Sequence, residues 1–184
     1  RPHPMYVHVK DARLLEEERA RRRLEEELDL AREIQSSLLP RKLPSAGWFR
    51  AVGSSLPSHA VGGDCFDVRQ VSPDVWAAVV TDVSGKGVSS ALLAALLQGS
   101  FLTASGDIAA QMSRLNSFLY ERTEGEKYAT VFYCTLRSDG TLVWANAGHV
   151  TPYLVRSSGE LRALDTTPVH RKLLPGRRLE RRST

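Results

Sequence analysis

The segment Val75-Trp76-Ala77-Ala78-Val79-Val80-Thr81-Asp82-Val83 is an almost unbroken apolar run that meets an acidic residue near its end. A short continuous run of this kind is the pattern of a buried strand. A tight turn, Ser84-Gly85-Lys86-Gly87, follows, and residues 88–103 are then apolar over most of their length and read as a buried helix. Asp107 stands where it can cap a second helix through about Glu121, with Ile108, Met112, Leu115, Phe118 and Leu119 on one face. A plausible strand spans 61–71, broken by Gly62-Gly63, and three more cover 129–137, 141–147 and 152–156. Ser138-Asp139-Gly140 supplies a hairpin turn between the first two of those three. Strands, a helix pair, then more strands predict an α+β fold built on an antiparallel sheet.

Upstream the pattern is different. Residues 11–39 contain neither Gly nor Pro and are rich in Leu, Glu, Arg and Ala, all strong helix formers. Asp11 is placed to cap this helix, and Pro40 ends it. Its length would be roughly 40 Å at about 1.5 Å per residue. Leu24, Leu28, Ala31, Gln35 and Leu38 alternate four and three apart, a heptad rhythm that fades above Leu24, where Arg21 and Glu17 take the seam positions. Two accounts fit: a stripe docked on the chain's own body, or a parallel coiled coil making a homodimer through residues 11–40. Met5-Tyr6-Val7-His8-Val9, within residues 1–10, reads as the end of an upstream segment, its last strand. A first residue other than Met points to a longer polypeptide.

Charge divides the chain of 184 residues in the same places. The net charge of +4 comes largely from residues 169–184, with 6 Lys/Arg against 1 Asp/Glu, while residues 51–168 are mildly acidic. A nucleic-acid role would rest on that tail alone, so none is expected. No run of about 18 uncharged apolar residues predicts a membrane span, and Arg1-Pro2-His3-Pro4 is not followed by the apolar core of a secretory signal. Cys65 and Cys134 show no zinc-type spacing and read as reduced thiols, which fits a cytoplasmic protein.

The chemistry concentrates at two acidic strand ends. Val61-Gly62-Gly63-Asp64-Cys65-Phe66-Asp67 sets two glycines against Asp64; glycines admit close backbone approach of a ligand or a neighbouring strand. Asp82 stands where the apolar run gives out, and a carboxylate there is costly unless paired or bound to a cation. Carboxylates on neighbouring strands can share hard divalent ions, and the backbone carbonyl just after Asp82 could add an oxygen. A plainer account also fits: Asp82 caps the following helix, and Asp67 is an outward or turn carboxylate. Ser84-Gly85-Lys86-Gly87 lacks the spacing of a Walker A loop.

Four segments occur in order: Ala31-Arg32-Glu33-Ile34-Gln35-Ser36-Ser37-Leu38-Leu39-Pro40; Val61 to Asp67; Asp82-Val83-Ser84-Gly85-Lys86-Gly87; and Asn146-Ala147-Gly148-His149. Together they resemble the bacterial PPM-type serine/threonine phosphatases of the sporulation stage II protein E and sigma-factor-regulator group, over roughly residues 30–168. The resemblance implies an αββα sandwich of two antiparallel sheets flanked by helices, here incomplete at its C-terminal end and preceded by a helical linker. It implies a domain over 41–168 and a pair of Mn²⁺ or Mg²⁺ ions. Asp64 and Asp82 would act as catalytic metal aspartates, with the Val83 carbonyl as a further ligand. A metal-bridged water would attack phosphoserine or phosphothreonine on a regulatory protein, such as an anti-sigma-factor antagonist. His149 is open to a catalytic or a packing role, with packing the simpler. Cys65 replaces an aromatic residue usual in the family.

The chain departs from the pattern at its end. The Thr-Asp-Gly and Asp-Asp segments that carry further metal aspartates in the family do not appear, and a basic, divergent stretch over 169–184 stands instead. With two carboxylates and one carbonyl, little or no turnover is expected of this polypeptide. The alternative function is a non-catalytic PPM-like interaction or dimerisation module in signalling.

Overall fold

The computed structural model describes residues 4–56, 60–103, 107–123 and 126–164. The basic stretch at 169–184 lies outside them. Helix α1 (Pro4–Leu38) precedes a small ribbon, β1 (Ser45–Ala46) and β2 (Phe49–Arg50). Strands β3 (Asp64–Ser72) and β4 (Val75–Val83) lead into helices α2 (Val88–Leu102) and α3 (Ile108–Thr123). Strands β5 (Ala129–Arg137), β6 (Leu142–Ala147), β7 (Tyr153–Val155) and β8 (Leu161–Ala163) follow.

The centre is an antiparallel sheet in the order β3-β4-β5-β6, with the helix pair inserted between its two middle strands. Alternation along each strand sends one set of side chains to the helices. Cys65, Val79, Val83, Val131, Tyr133 and Ala147 are buried there against Ala94, Leu97, Phe101, Met112, Leu115 and Leu119. On the opposite face the β1–β2 ribbon lays Phe49 flat on Trp76, with ring centroids 4.7 Å apart. The α+β class, the antiparallel sheet and the flanking helices agree with expectation. Among the described residues the sheet layer is this one four-stranded sheet, with two-stranded ribbons beside it.

Local chemistry explains the boundaries. Asp107 accepts from the Ala110 amide at 2.6 Å and so starts α3. The β5–β6 turn is closed by Gly140 N–H donating to the Arg137 carbonyl and Thr141 N–H donating to Asp139, with Gly140 at φ 85°. Two expectations are corrected. Residues 5–9 are helical, so they are not a strand and Asp11 is inside α1 rather than at its start. Two valines cost a helix only tenths of a kcal/mol each, and the Glu/Arg/Leu-rich stretch downstream propagates through them. Asp67 is not an outward carboxylate: it is only 6% exposed. It faces the helices from β3, where Gln98 donates to it at 2.7 Å.

The same Gln98 amide nitrogen donates to the carbonyl of Leu38, the last residue of α1, also at 2.7 Å. One side chain thus ties the linker helix, α2 and β3 together. Along α1 the side chains of 12–27 are exposed, while Leu28, Ala31, Gln35 and Leu39 are partly buried. The lower half of the predicted seam is a docking stripe on the chain's own body, and Leu24 and Leu38 stand outside it at 57% and 47% exposure. Gln98→Ala leaves an oxygen of buried Asp67 without its donor and should cost about 2 kcal/mol in urea unfolding; a loss below about 0.5 kcal/mol would show that the tie is not structural.

Candidate active site

The register of the two central strands brings the predicted acids together. Asp64, first residue of β3, is the direct cross-strand partner of Asp82 in β4. Both are exposed, on the sheet face opposite the helices. The pairing holds because Gly63, just before β3, lies against the backbone of Val83. The Val83 amide donates to the Gly63 carbonyl at 3.1 Å, and a Cβ on Gly63 would collide with the Val83 carbonyl oxygen. The Val83 side chain is buried in the core, and its carbonyl oxygen packs on Gly63. Helix α2 begins after Gly87 with no side-chain cap, so Asp82 does not serve as one.

Like charges in register repel. The Asp64 carboxyl is held above its ordinary pKa of 3.8, first by partial burial, then by the charge of Asp82 and hydrogen bonding to it, against a smaller lowering by His149. The pair lines a cleft of about 170 Å³ together with Gln35, Gly62, Gly63, Gly85 and Lys86. Gln35 grips Gly62 from both sides: its amide nitrogen donates to the Gly62 carbonyl at 2.6 Å, and its amide oxygen accepts from the Gly62 N–H at 3.1 Å. Helix α1 therefore touches the loop that leads into Asp64.

A further polar pair lies on the β5 side of Asp82. Thr130 in β5 is the cross-strand partner of Asp82, and its hydroxyl lies 2.9 Å from Nδ1 of His149. Asn146 clamps the His149 backbone, accepting from its N–H at 2.8 Å and donating to its carbonyl at 3.2 Å. Burial lowers the His149 pKa from 6.5, while Asp82 and Asp64 pull it the other way. Cys65 and Cys134 are free, and burial pushes each thiol up to about 11, so neither is a nucleophile at neutral pH.

The residues present fit a divalent cation in part. Two exposed carboxylates share one register position, and their mutual repulsion is the electrostatic signature of a site short of positive charge. Among the described residues no group of three or more His, Cys, Asp or Glu side chains could hold a metal ion. Sequence reasoning found Asp64 and Asp82 but passed over Gln35, whose signal was an amide in an otherwise apolar seam, and placed His149 with packing residues.

Residues 72–170 match the family model of stage II sporulation protein E. The chain belongs to that family. Among curated relatives, the phosphoserine phosphatase RsbU of Bacillus subtilis is 25% identical over 68% of this chain. The chain spans only 27% to 38% of the length of the curated relatives it matches. Its fold is shared with the SiaA-PP2C domain of Pseudomonas aeruginosa, at TM-score 0.64 and 21% identity over 84% of this chain and 63% of that one. RsbX solved in complex with magnesium gives TM-score 0.52 and 20% identity over 64% of this chain and 56% of that one. This member of the family thus shares the fold of that PP2C domain, and in it the Asp64–Asp82 pair sits at adjoining strand ends.

Two consequences are measurable. Folding raises the Asp64 pKa, so its ionisation opposes folding: the penalty is absent below about pH 3.8, where folded and unfolded chains both hold the proton, and complete above the raised value. In metal-free protein Asp64→Asn should raise Tm at pH 7, with the advantage shrinking as pH falls toward 4; an advantage constant over that range would contradict the account. Gly63→Ala forces β3 away from Val83 and should cost roughly 1–3 kcal/mol, read from chemical unfolding; a neutral effect would mean the close approach is not needed.

Proposed function

We propose that this chain carries the phosphoryl-hydrolysing site of a metal-dependent protein serine/threonine phosphatase, over a domain spanning 41–168. The observation that carries the reading is the cross-strand pairing of Asp64 with Asp82. The proposed ligands are these two carboxylates and the Val83 carbonyl, and the proposed ion is Mn²⁺ or Mg²⁺. When bound, such ions supply a water of lowered pKa and neutralise charge on the phosphoryl oxygens. The chain's own residues hold the two carboxylates at one register position, keep the Gly62-Gly63 loop in place through Gln35, and present a polar cleft open to solvent.

The substrate class we propose is a phosphoserine- or phosphothreonine-bearing regulatory protein, such as an anti-sigma-factor antagonist. The relative named phosphoserine phosphatase supports it. The linker helix supports regulation: α1 ends in two contacts, Gln35 on the site loop and the Leu38 carbonyl on Gln98, so a twist or dimerisation of residues 11–40 is transmitted to Asp64. No helix of the described residues is long and apolar enough to cross a membrane, and the proposed place of action is the cytoplasm.

A second reading, a non-catalytic interaction module, draws on the acidic pair standing without a third metal-capable group among the described residues. Calorimetric titration of the 184-residue chain with Mn²⁺ separates the two. A binding heat that vanishes in Asp82→Ala is expected; its absence from the unaltered chain favours the module.

A further inference from the structure

The acidic pair does not end the row of polar groups across the sheet. Asp64 pairs with Asp82, Asp82 pairs with Thr130, and the Thr130 hydroxyl bonds to Nδ1 of His149. Thr130 stands one strand beyond Asp82 on the same face, about 4.8 Å across, and its hydroxyl is the point at which the row meets the ring of His149. It sits on the loop after β6, fixed at its backbone by both ends of the Asn146 amide. A histidine that only filled a turn would not need a second anchor on its ring. Nδ1 is occupied by Thr130, and among the described residues no group bonds to Nε2.

We propose that His149 is a phosphoryl-binding residue of this site, its Nε2–H donating a hydrogen bond to a non-bridging phosphoryl oxygen. Thr130 is the positioning residue. When its hydroxyl donates to Nδ1, the neutral ring carries its one proton on Nε2, which is then a donor. The row then has two ends of opposite character: two carboxylates that hold cations, and a donor for an anion. A phosphoryl group whose oxygens meet a cation held by the carboxylates at one end and the Nε2–H donor at the other satisfies both. The inference rests on the phosphatase reading above, because the anion it recruits is that substrate's.

The test uses the 184-residue chain, with Mn²⁺ titrated first and inorganic phosphate second, both followed by calorimetry. His149→Ala should bind Mn²⁺ within about twofold of the unaltered chain but bind phosphate roughly tenfold or more weakly, the loss of one charge-assisted hydrogen bond. His149→Gln places an amide N–H near the position of Nε2 and should recover most of that affinity. Thr130→Val, which keeps the shape but loses the hydroxyl, should fall between. Equal phosphate affinity in His149→Ala and the unaltered chain, with Mn²⁺ bound by both, overturns the assignment and leaves the phosphatase reading standing. Equal losses in His149→Ala and His149→Gln mean a packing role and overturn it too. If Mn²⁺ does not bind the unaltered chain, the phosphatase reading fails and this inference with it.

Discussion

Two carboxylates held at one register position across adjacent strands are the constraint on which the site depends. Such a pair is unfavourable alone, and the Asp64 carboxyl is held above its ordinary pKa, first by partial burial and then by Asp82. The structure keeps the pair because the backbone leaves no choice. Gly63 lies so close to Val83 that the two strands cannot slip, and a one-residue slip would send every side chain to the wrong face. The apolar helix face of the sheet, filled by Tyr133, Phe101, Leu97 and Met112, fixes the register from below. Core packing thus carries the cost of a repulsive arrangement at the surface.

The linker helix meets this arrangement at its most sensitive point. Gln35 grips the backbone of Gly62, two residues before Asp64, and Gln98 joins the end of α1 to buried Asp67 on the same strand. The side chains of residues 12–27 are exposed, while the last turns of α1 are bonded to the Gly62 loop and, through Gln98, to β3. Movement of the exposed part has a short mechanical path to the site through polar contacts with defined geometry.

Much of this was legible in the sequence. The limits of β4 and β5 follow from their apolar runs, and α3 from the capping position of Asp107. Asp64 and Asp82 stand out because acids at the ends of buried strands need a reason. What escaped was non-local. Asp67 has its partner 31 residues away on α2, so its burial is invisible to local pattern. His149 becomes part of the row only once β6 lies beside β5. Gln35 reads in the sequence as one position of a heptad seam, and its grip on Gly62 appears only when the helix is docked. The β1–β2 ribbon and β8 have two or three residues per strand, too short for alternation to show, whereas β7 lies within the strand expected over 152–156.

The central claim is that the carboxylates of Asp64 and Asp82 converge on a common cation. A crystal of this chain grown with Mn²⁺, with data collected at the manganese absorption edge, tests it directly. The account predicts an anomalous peak between the two carboxylates, absent from the Asp64→Asn, Asp82→Asn double variant. Manganese bound elsewhere, or none in the cleft at millimolar concentration, would contradict it.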